Sequence, residues 1–285
     1  MNPLKKSLWV GLITAVPLYA AAGTYDSSVS LTQNDTWHSS EFVLKGKFYF
    51  DPVDDSKGPL AEADFLSRQS SAGVTLVHKD QESLGDTDTL KQQSLKGFEG
   101  IWHSDTGFWA QGQFSQQDTT YHASTNVPSP NEASHEWTSG SFGYFINDTT
   151  SFGVGYRELQ NTTTGDNYRG IRKSGGIRHL MTLDNSHVAL YGVWHDETTN
   201  NNRDNTQVDV QATYYPAKNI GFTVGLLDTN YIDDTASPGW DSQDFTIGTE
   251  YFITPSLAVN MSMVRTEYSD NDSARSQSIG ITSRF

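Results

Sequence analysis

The sequence predicts an all-β fold, a transmembrane antiparallel up-and-down β-barrel of about fourteen strands, with twelve and sixteen as alternatives. Three observations lead to this fold class. Apolar and polar residues alternate along most of the chain, connections between the alternating stretches are tight and long in turn, and the last alternating stretch ends on Phe285. A strand at the very end of a chain has a bare edge, which pairing with the first strand of a barrel removes.

The first 22 residues have the pattern of a secretory signal peptide. Lys5 and Lys6 precede a short apolar run at 8–16, and small residues at 20–22 come before Gly23. The apolar run is too short to span a bilayer, which needs roughly 20 residues. We therefore expect residues 1–22 to be removed and residues 23–285 to form the barrel.

Composition narrows the function classes. The chain has no cysteine, so an exported form has neither disulfides nor thiol chemistry. Its net charge of -15 argues against nucleic acid as a partner, because phosphate binding needs a basic surface. The mean hydropathy of -0.55 is compatible with a barrel, because only alternate strand residues meet lipid.

Alternation between turn signals gives fourteen predicted strands, an even number that places both termini on one side of the membrane. Their spans are 24–33, 41–51, 67–79, 93–103, 107–118, 136–147, 151–161, 168–183, 187–197, 205–215, 220–230, 241–253, 257–268 and 275–285. The tight connections are 103–107, 147–150, 184–186, 216–219 and 254–256, and the long ones include 80–92, 117–135, 197–204 and 228–240.

The second predicted strand shows the alternation most clearly. Its apolar parity is Phe42, Leu44, Gly46, Phe48 and Phe50, against Val43, Lys45, Lys47 and Tyr49. A Lys or Arg facing lipid at mid-bilayer costs roughly 2–4 kcal/mol, so the apolar parity is expected to face outward. A half-buried sheet of a soluble protein gives the same alternation and is the alternative.

Residues 51–66 occupy a position where a tight turn is expected. Residues 61–66 predict a helical turn after Pro59, with Glu62 favourably placed in its first turn. We interpret this connection as a structural plug at the barrel floor rather than as a binding element.

The run Phe50-Asp-Pro-Val, followed by Gly58-Pro-Leu-Ala-Glu-Ala and Phe65-Leu, resembles a segment of a porin family of Gram-negative outer-membrane β-barrels. Together with the signal peptide and the terminal Phe285, the similarity extends over the whole chain. The resemblance implies a channel in the cell outer membrane for passive diffusion of small hydrophilic solutes and ions. It brings no catalytic residue and no cofactor.

If the apolar parities face lipid, the opposite parities line the pore. The predicted pore-lining residues are Lys45, Lys47, Glu99, Gln111, Gln113, Arg157, Arg172, Arg178, Asp209, Gln211, Asp244, Glu250 and Asn260. The eighth predicted strand concentrates basic residues at 169, 172, 173 and 178, whereas the tenth and twelfth carry acids. A basic wall facing an acidic one would set a transverse field that filters ions. Mutual neutralisation across neighbouring strands is the alternative.

The longest predicted outer connection is residues 121–135, stiffened by Pro128 and Pro130. As the third outer loop, it is expected either to fold into the pore and narrow it or to remain a solvated surface loop.

Other functions find less support in the sequence. His195-Asp196-Glu197 is the best fragment of a hydrolase site, but adjacent strand residues point to opposite faces, so we expect no enzyme. The acid pairs at 233–234 and 270–272 lack calcium-loop spacing, and no histidine pattern predicts a metal site. A structural or adhesion barrel remains the alternative to a channel. Expected partners are outer-membrane lipid, the barrel assembly machinery through the strand ending at Phe285, and small hydrophilic solutes, with a monomer or homotrimer both compatible.

Overall fold

A computed structural model describes residues 25–34, 39–83, 89–123, 131–161, 169–200, 203–233, 241–269 and 272–284. Fourteen antiparallel strands form a closed barrel, which confirms the predicted fold class and strand number. Each strand pairs with its sequence neighbours, and β1 pairs with β14. The strands are β1 (Tyr25–Asn34), β2 (Ser39–Tyr49), β3 (Ser71–Ser83), β4 (Thr89–His103), β5 (Phe108–Ala123), β6 (Asn131–Asn147), β7 (Thr150–Asn161), β8 (Arg169–Leu183), β9 (Ser186–Thr199), β10 (Arg203–Ala217), β11 (Ile220–Asp233), β12 (Ser242–Thr254), β13 (Leu257–Tyr268) and β14 (Ser273–Arg284).

The outer wall is apolar and exposed, as the alternation predicts. Phe142 is 66% exposed and Ile247 is 58% exposed, although both are large apolar side chains in the middle of strands. The outward-facing positions of other strands likewise expose Phe48, Phe98, Phe222, Val224, Met261, Ile279 and Ile281. An exposed apolar belt around a closed barrel is the surface that hydrocarbon covers. Among the described residues, no helix has the length and apolar character needed to cross a bilayer.

The predicted tight turns lie together at one end of the barrel, which we call the short-turn end. Only two residues separate β6 from β7, β8 from β9, β10 from β11 and β12 from β13. The turn between β4 and β5 uses Gly107 at a φ of 91°, a left-handed conformation that glycine adopts without strain.

Several strands extend beyond their predicted limits at the opposite end. β5 continues to Ala123 and β6 begins at Asn131, with Tyr121 directly opposite Asn131. The predicted loop 121–135 was therefore too long: only 124–130 separate the two strands, and those residues lie outside the described part of the chain. Above a lipid belt both faces of a strand can be polar, so backbone pairing continues where apolar alternation has ended.

The connection between β2 and β3 contains the predicted helical turn. A 3-10 turn (Leu60–Glu62) leads directly into helix α1 (Ala63–Ser67). Arg68 then adopts a left-handed conformation with a φ of 53°, which ends the helix and delays β3 to Ser71 instead of the predicted residue 67. The backbone N–H of Phe50 donates to the carbonyl of Ser70 at 2.9 Å, so this excursion begins and ends at one point on the wall.

We call residues 51–69 the plug segment, because they lie inside the barrel at the short-turn end. Glu62 contacts Tyr215 on β10, Asp64 contacts Lys47 on β2, and the carbonyl of Leu60 accepts from Arg284 on β14. One short segment can reach strands so far apart around a closed ring only from the interior.

The largest apolar clusters of the interior surround the plug segment. Leu66 packs with Leu180, Ala189 and Tyr215, whereas Leu60 packs with Phe252 and Ala258. A third cluster joins Ala63, which is 1% exposed, to Val53 and Tyr49. The short-turn end is thus filled like the core of a soluble domain, and the rest of the interior is polar.

Candidate functional site: the barrel lumen

The inward parity of the strands carries all of the predicted pore-lining residues. On each strand they alternate with exposed apolar side chains, for example Gln113 with Phe114 and Glu250 with Tyr251. The inner wall is therefore polar because side-chain direction on a strand has a period of two.

Two of the predicted lining cations bind the plug segment. The Lys47 ammonium donates to the Asp64 carboxylate at 2.5 Å, and Arg178 donates to the Glu62 carboxylate at 2.5 Å. The Arg178 guanidinium also lies 4.4 Å from the centre of the Phe65 ring, a cation–π arrangement. These two charges stabilise the plug segment and are largely neutralised by it, a role that their sequence pattern did not predict.

A cavity of about 480 Å³ lies above the plug segment against β4 to β9. Its lining includes the predicted residues Gln111, Gln113, Arg157, Arg172 and Arg178. It also includes His103, Trp109, Tyr191 and His195, which the sequence analysis did not assign to the pore. Their inward parity was readable in the sequence from the apolar neighbours Phe108, Leu190 and Trp194, but Trp and Tyr are also enriched where a barrel wall meets the membrane interface.

A second cavity of about 270 Å³ lies along β5 to β9, lined by Gln117, His135, Trp137, Arg157, Leu159, Gly170, Arg172 and Glu197. Along β5, Gln117 follows the Gln111 and Gln113 of the first cavity, so this second cavity is farther from the short-turn end. Only Arg157 and Arg172 line both cavities. The two guanidinium groups therefore lie at the boundary between an upper and a lower compartment of the lumen.

The remaining predicted residues form small polar networks on the inner wall. The Gln111 amide donates to the Glu99 carboxylate at 3.5 Å, and the Gln211 amide donates to Asp209 at 3.3 Å. Asn260 lies opposite Glu250 in register and donates to the Thr282 hydroxyl at 3.5 Å. Lys45 is exposed in the lumen, and Oδ1 of Asp244 is buried without a hydrogen-bond partner among the described residues.

The prediction of a basic wall facing an acidic one was wrong in its geometry. In the ring of fourteen strands, the position opposite β8 is β1. The strands of Asp209 and Asp244, β10 and β12, lie two and four positions from β8. Linear order showed which strands carry charge, but the angle between them depends on the closed circumference.

The basic residues of β8 are divided between its two faces. Arg172 and Arg178 face the lumen, where Glu197 accepts from Arg172 Nε at 2.7 Å. Arg169 and Lys173 share the opposite parity with Ile177, which is exposed to lipid, and Arg169 pairs with Glu158 at 2.8 Å. Only half of the basic residues that the sequence concentrates on this strand therefore face the lumen.

The indole of Trp109 packs against two glycines of the inner wall, Gly143 and Gly153, which face each other across β6 and β7. A Cβ on Gly143 would lie 2.5 Å from indole carbons and 2.1 Å from the carbonyl oxygen of Phe152. The two glycines thus fix the position of the large aromatic surface beside the lower cavity.

Replacing Gly143 by alanine should destabilise the barrel by about 1–3 kcal/mol, because a backbone oxygen and a packed ring both oppose the new methyl group. The measurement is the denaturant midpoint of the refolded protein, together with its near-ultraviolet circular dichroism. The matched control is Gly140→Ala on the lipid face of the same strand, where the nearest heavy atom is 4.0 Å away. Equal effects of the two substitutions would contradict the packing role of Gly143.

The structure separates the members of the candidate hydrolase fragment. His195 and Glu197 have inward parity, and Asp196 lies between them on the outward parity. Among the described residues, no group of three histidine or acidic side chains is close enough to hold a metal ion. The acid pairs 233–234 and 270–272 lie wholly or partly outside the residues whose side chains the structure describes.

Comparison with known proteins confirms the predicted family resemblance. A family profile described as "Putative general bacterial porin" matches residues 4–126. No curated protein matches the sequence. The profile match supports a porin or channel function and points to the bacterial outer membrane.

Solved outer-membrane barrels share the fold at low identity. The crystal structure of the outer membrane protein Omp33 of Acinetobacter baumannii is 16% identical with a TM-score of 0.57, and the match covers 93% of this chain and 99% of that one. The CymD monoaromatic hydrocarbon channel is 11% identical with a TM-score of 0.61, covering 94% and 90%. A FadL homologue of Pseudomonas aeruginosa is 9% identical with a TM-score of 0.57, covering 92% and 89%.

Proposed function

From the resemblance to general bacterial porins and the closed barrel, we propose that this chain is an outer-membrane porin of a Gram-negative bacterium. It conducts ions and small hydrophilic solutes by passive diffusion and is not an enzyme. The observation that carries the proposal is the polar inner wall with two open cavities along strands β4 to β9, the first of which is also lined by the plug segment. An eight-stranded structural barrel fills its interior with side chains, whereas fourteen strands enclose more space.

The plug segment defines the route through the lower half of the barrel. Its buried apolar contacts reach β8, β9 and β10 through Leu66, and β12 and β13 through Leu60. The cavity remains on the β4 to β9 side, where Asp64 and Phe65 of the plug segment form part of its lining. In this proposal solutes pass beside the plug segment, and the narrowing expected of the loop 121–135 is provided mainly by residues 51–69.

Membrane insertion of the proposed porin depends on its last strand. β14 pairs with β1 from Asp26 opposite Arg284 to Asn34 opposite Ser276, and the Arg284 guanidinium donates to the Asp26 carboxylate at 2.8 Å. The barrel assembly machinery is the proposed partner of this strand, with Phe285 as its terminal signal. Residue 285 itself, like residues 1–22 of the proposed signal peptide, lies outside the described part of the chain.

The purified mature protein should form ion-conducting channels when it is inserted into planar lipid bilayers. The expected result is stepwise conductance in potassium chloride, together with swelling of proteoliposomes in small sugars that slows as sugar size increases. Closure of the barrel is checked independently by the heat-dependent shift of its electrophoretic mobility. A closed barrel that passes neither ions nor sugars would instead support the structural or adhesion role.

A further inference from the structure

We propose that Arg157 and Arg172 form a binding subsite for oxyanions, the carboxylate or phosphate groups of small organic solutes, at the boundary between the two luminal cavities. The inference deepens the proposed channel function and rests on it, because it assigns a class of solute to that route. It predicts that the lumen holds anions at one defined place rather than repelling cations in general.

The first observation is the register of the two arginines. Arg157 on β7 lies directly opposite Arg172 on β8, and both side chains have inward parity. Directly opposed residues of antiparallel strands have Cα atoms about 4.5–5.5 Å apart, and like charges at this spacing are destabilising. Repulsion between the two arginines lowers the stability of the barrel when no anion is bound. An anion between them removes that repulsion and stabilises the barrel.

The second observation is the imbalance of charge at the pair. Glu197 is the acidic partner of Arg172, and its Oε2 accepts from both Nε and Nη2 of that guanidinium. The Arg157 side chain is half-buried, yet it forms no ion pair with any residue in the described ranges. One carboxylate therefore faces two guanidinium groups, and one positive charge at the pair is uncompensated.

The third observation is the surroundings of the pair. Arg157 and Arg172 line both cavities, so a solute that moves between the compartments passes them. Trp109 and Tyr191 line the lower cavity and provide apolar surface for the carbon skeleton of a solute. A guanidinium presents paired donors that match the oxygens of carboxylate or phosphate, which makes arginine better suited than lysine to such recognition.

Arg178 is not part of the subsite. It is bound by Glu62 and Phe65 of the plug segment, and it lies six residues along β8 from Arg172, about 20 Å of extended strand. Lys47 is similarly occupied by Asp64. Among the predicted basic lining residues, only Lys45 is, like Arg157, without an ion pair in the described ranges, and it lies on β2, away from both cavities.

The test measures binding and conduction separately on the mature protein and on Arg157→Gln. Isothermal titration in detergent micelles uses succinate and inorganic phosphate as probes, with glycerol as the uncharged comparison. We expect saturable binding of both anions to the wild type and about tenfold weaker binding to Arg157→Gln. In planar bilayers, the same variant should lower the chloride-to-potassium permeability ratio and the block of chloride current by succinate.

Two substitutions serve as controls. Arg265→Gln removes the same charge from the outward face of β13, and Lys45→Gln removes an unpaired cation from another part of the lumen. Both should retain wild-type affinity for succinate. Arg157→Gln should also raise the unfolding midpoint, because it removes the repulsion from Arg172.

The outcomes distinguish this inference from the proposed function. Absence of saturable anion binding to a conducting wild type would overturn the subsite and leave the channel intact. Equal losses of affinity in Lys45→Gln and Arg157→Gln would also overturn it, because general lumen charge would then be sufficient. Anion binding to a barrel that does not conduct would refute the channel and retain the subsite.

Discussion

Replacing residues 51–69 by Asn-Gly should increase the single-channel conductance severalfold, which is the largest functional effect expected of any change in this chain. The backbone of Phe50 pairs with that of Ser70, so a two-residue hairpin turn can join β2 to β3 without altering their register. The substitution removes the only described segment that crosses the lumen. The increase in conductance is measured in planar bilayers at fixed salt.

A graded variant tests whether the plug segment is held by specific contacts. Glu62 is the buried group that joins it to Arg178 and Tyr215. Glu62→Ala should produce brief openings to the conductance of the replacement variant, because it leaves these two partners without their acceptor. Glu62→Gln retains an acceptor oxygen and should resemble the wild type more closely. Unchanged conductance of a heat-modifiable replacement variant would show that residues 51–69 do not limit flow.

Replacing Ile247 by lysine should destabilise the membrane-inserted barrel by roughly 2–4 kcal/mol, the cost of a cation facing mid-bilayer hydrocarbon. Ile247 is 58% exposed on the outward parity near the middle of β12, between Val224 on β11 and Met263 on β13. Reversible folding into lipid vesicles as a function of denaturant measures the change.

The matched control is Thr246→Lys, one residue earlier on the same strand but facing the lumen. Its lysine can remain hydrated, so its folding free energy should stay within about 0.5 kcal/mol of the wild type. The same pair of variants should behave differently in conduction, because only the luminal lysine changes the charge along the solute route. Equal destabilisation by the two lysines would contradict the assignment of the lipid face.

The two faces of the wall were predictable because they depend on local geometry. Successive side chains of any strand point to opposite sides, so the parity of Phe48 and Lys47 was sufficient to assign one to lipid and the other to the lumen. The order of the strands was predictable as well, because tight turns force strands that are neighbours in sequence to pair. The helical turn after Pro59 was also readable from local signals.

The strand ends and the loop 121–135 were less predictable. Pairing between β5 and β6 continues through polar residues as far as Tyr121 and Asn131, because backbone hydrogen bonds do not require apolar side chains. The periodic signal stops where the lipid belt stops, whereas the sheet continues. Apolar alternation therefore measured the height of the lipid-facing belt rather than the length of the strands.

The alternation of side chains was sufficient to predict the architecture, which is a closed wall with a lipid face and a set of side chains that point inward. The contacts of those side chains became clear only in the folded barrel. Closure of the ring brought Lys47 and Arg178 to the plug segment and left Arg157 facing Arg172, whose guanidinium holds the one nearby carboxylate. Side-chain direction is a property of one strand, but the partner of a charge depends on the register and the circumference of the whole barrel.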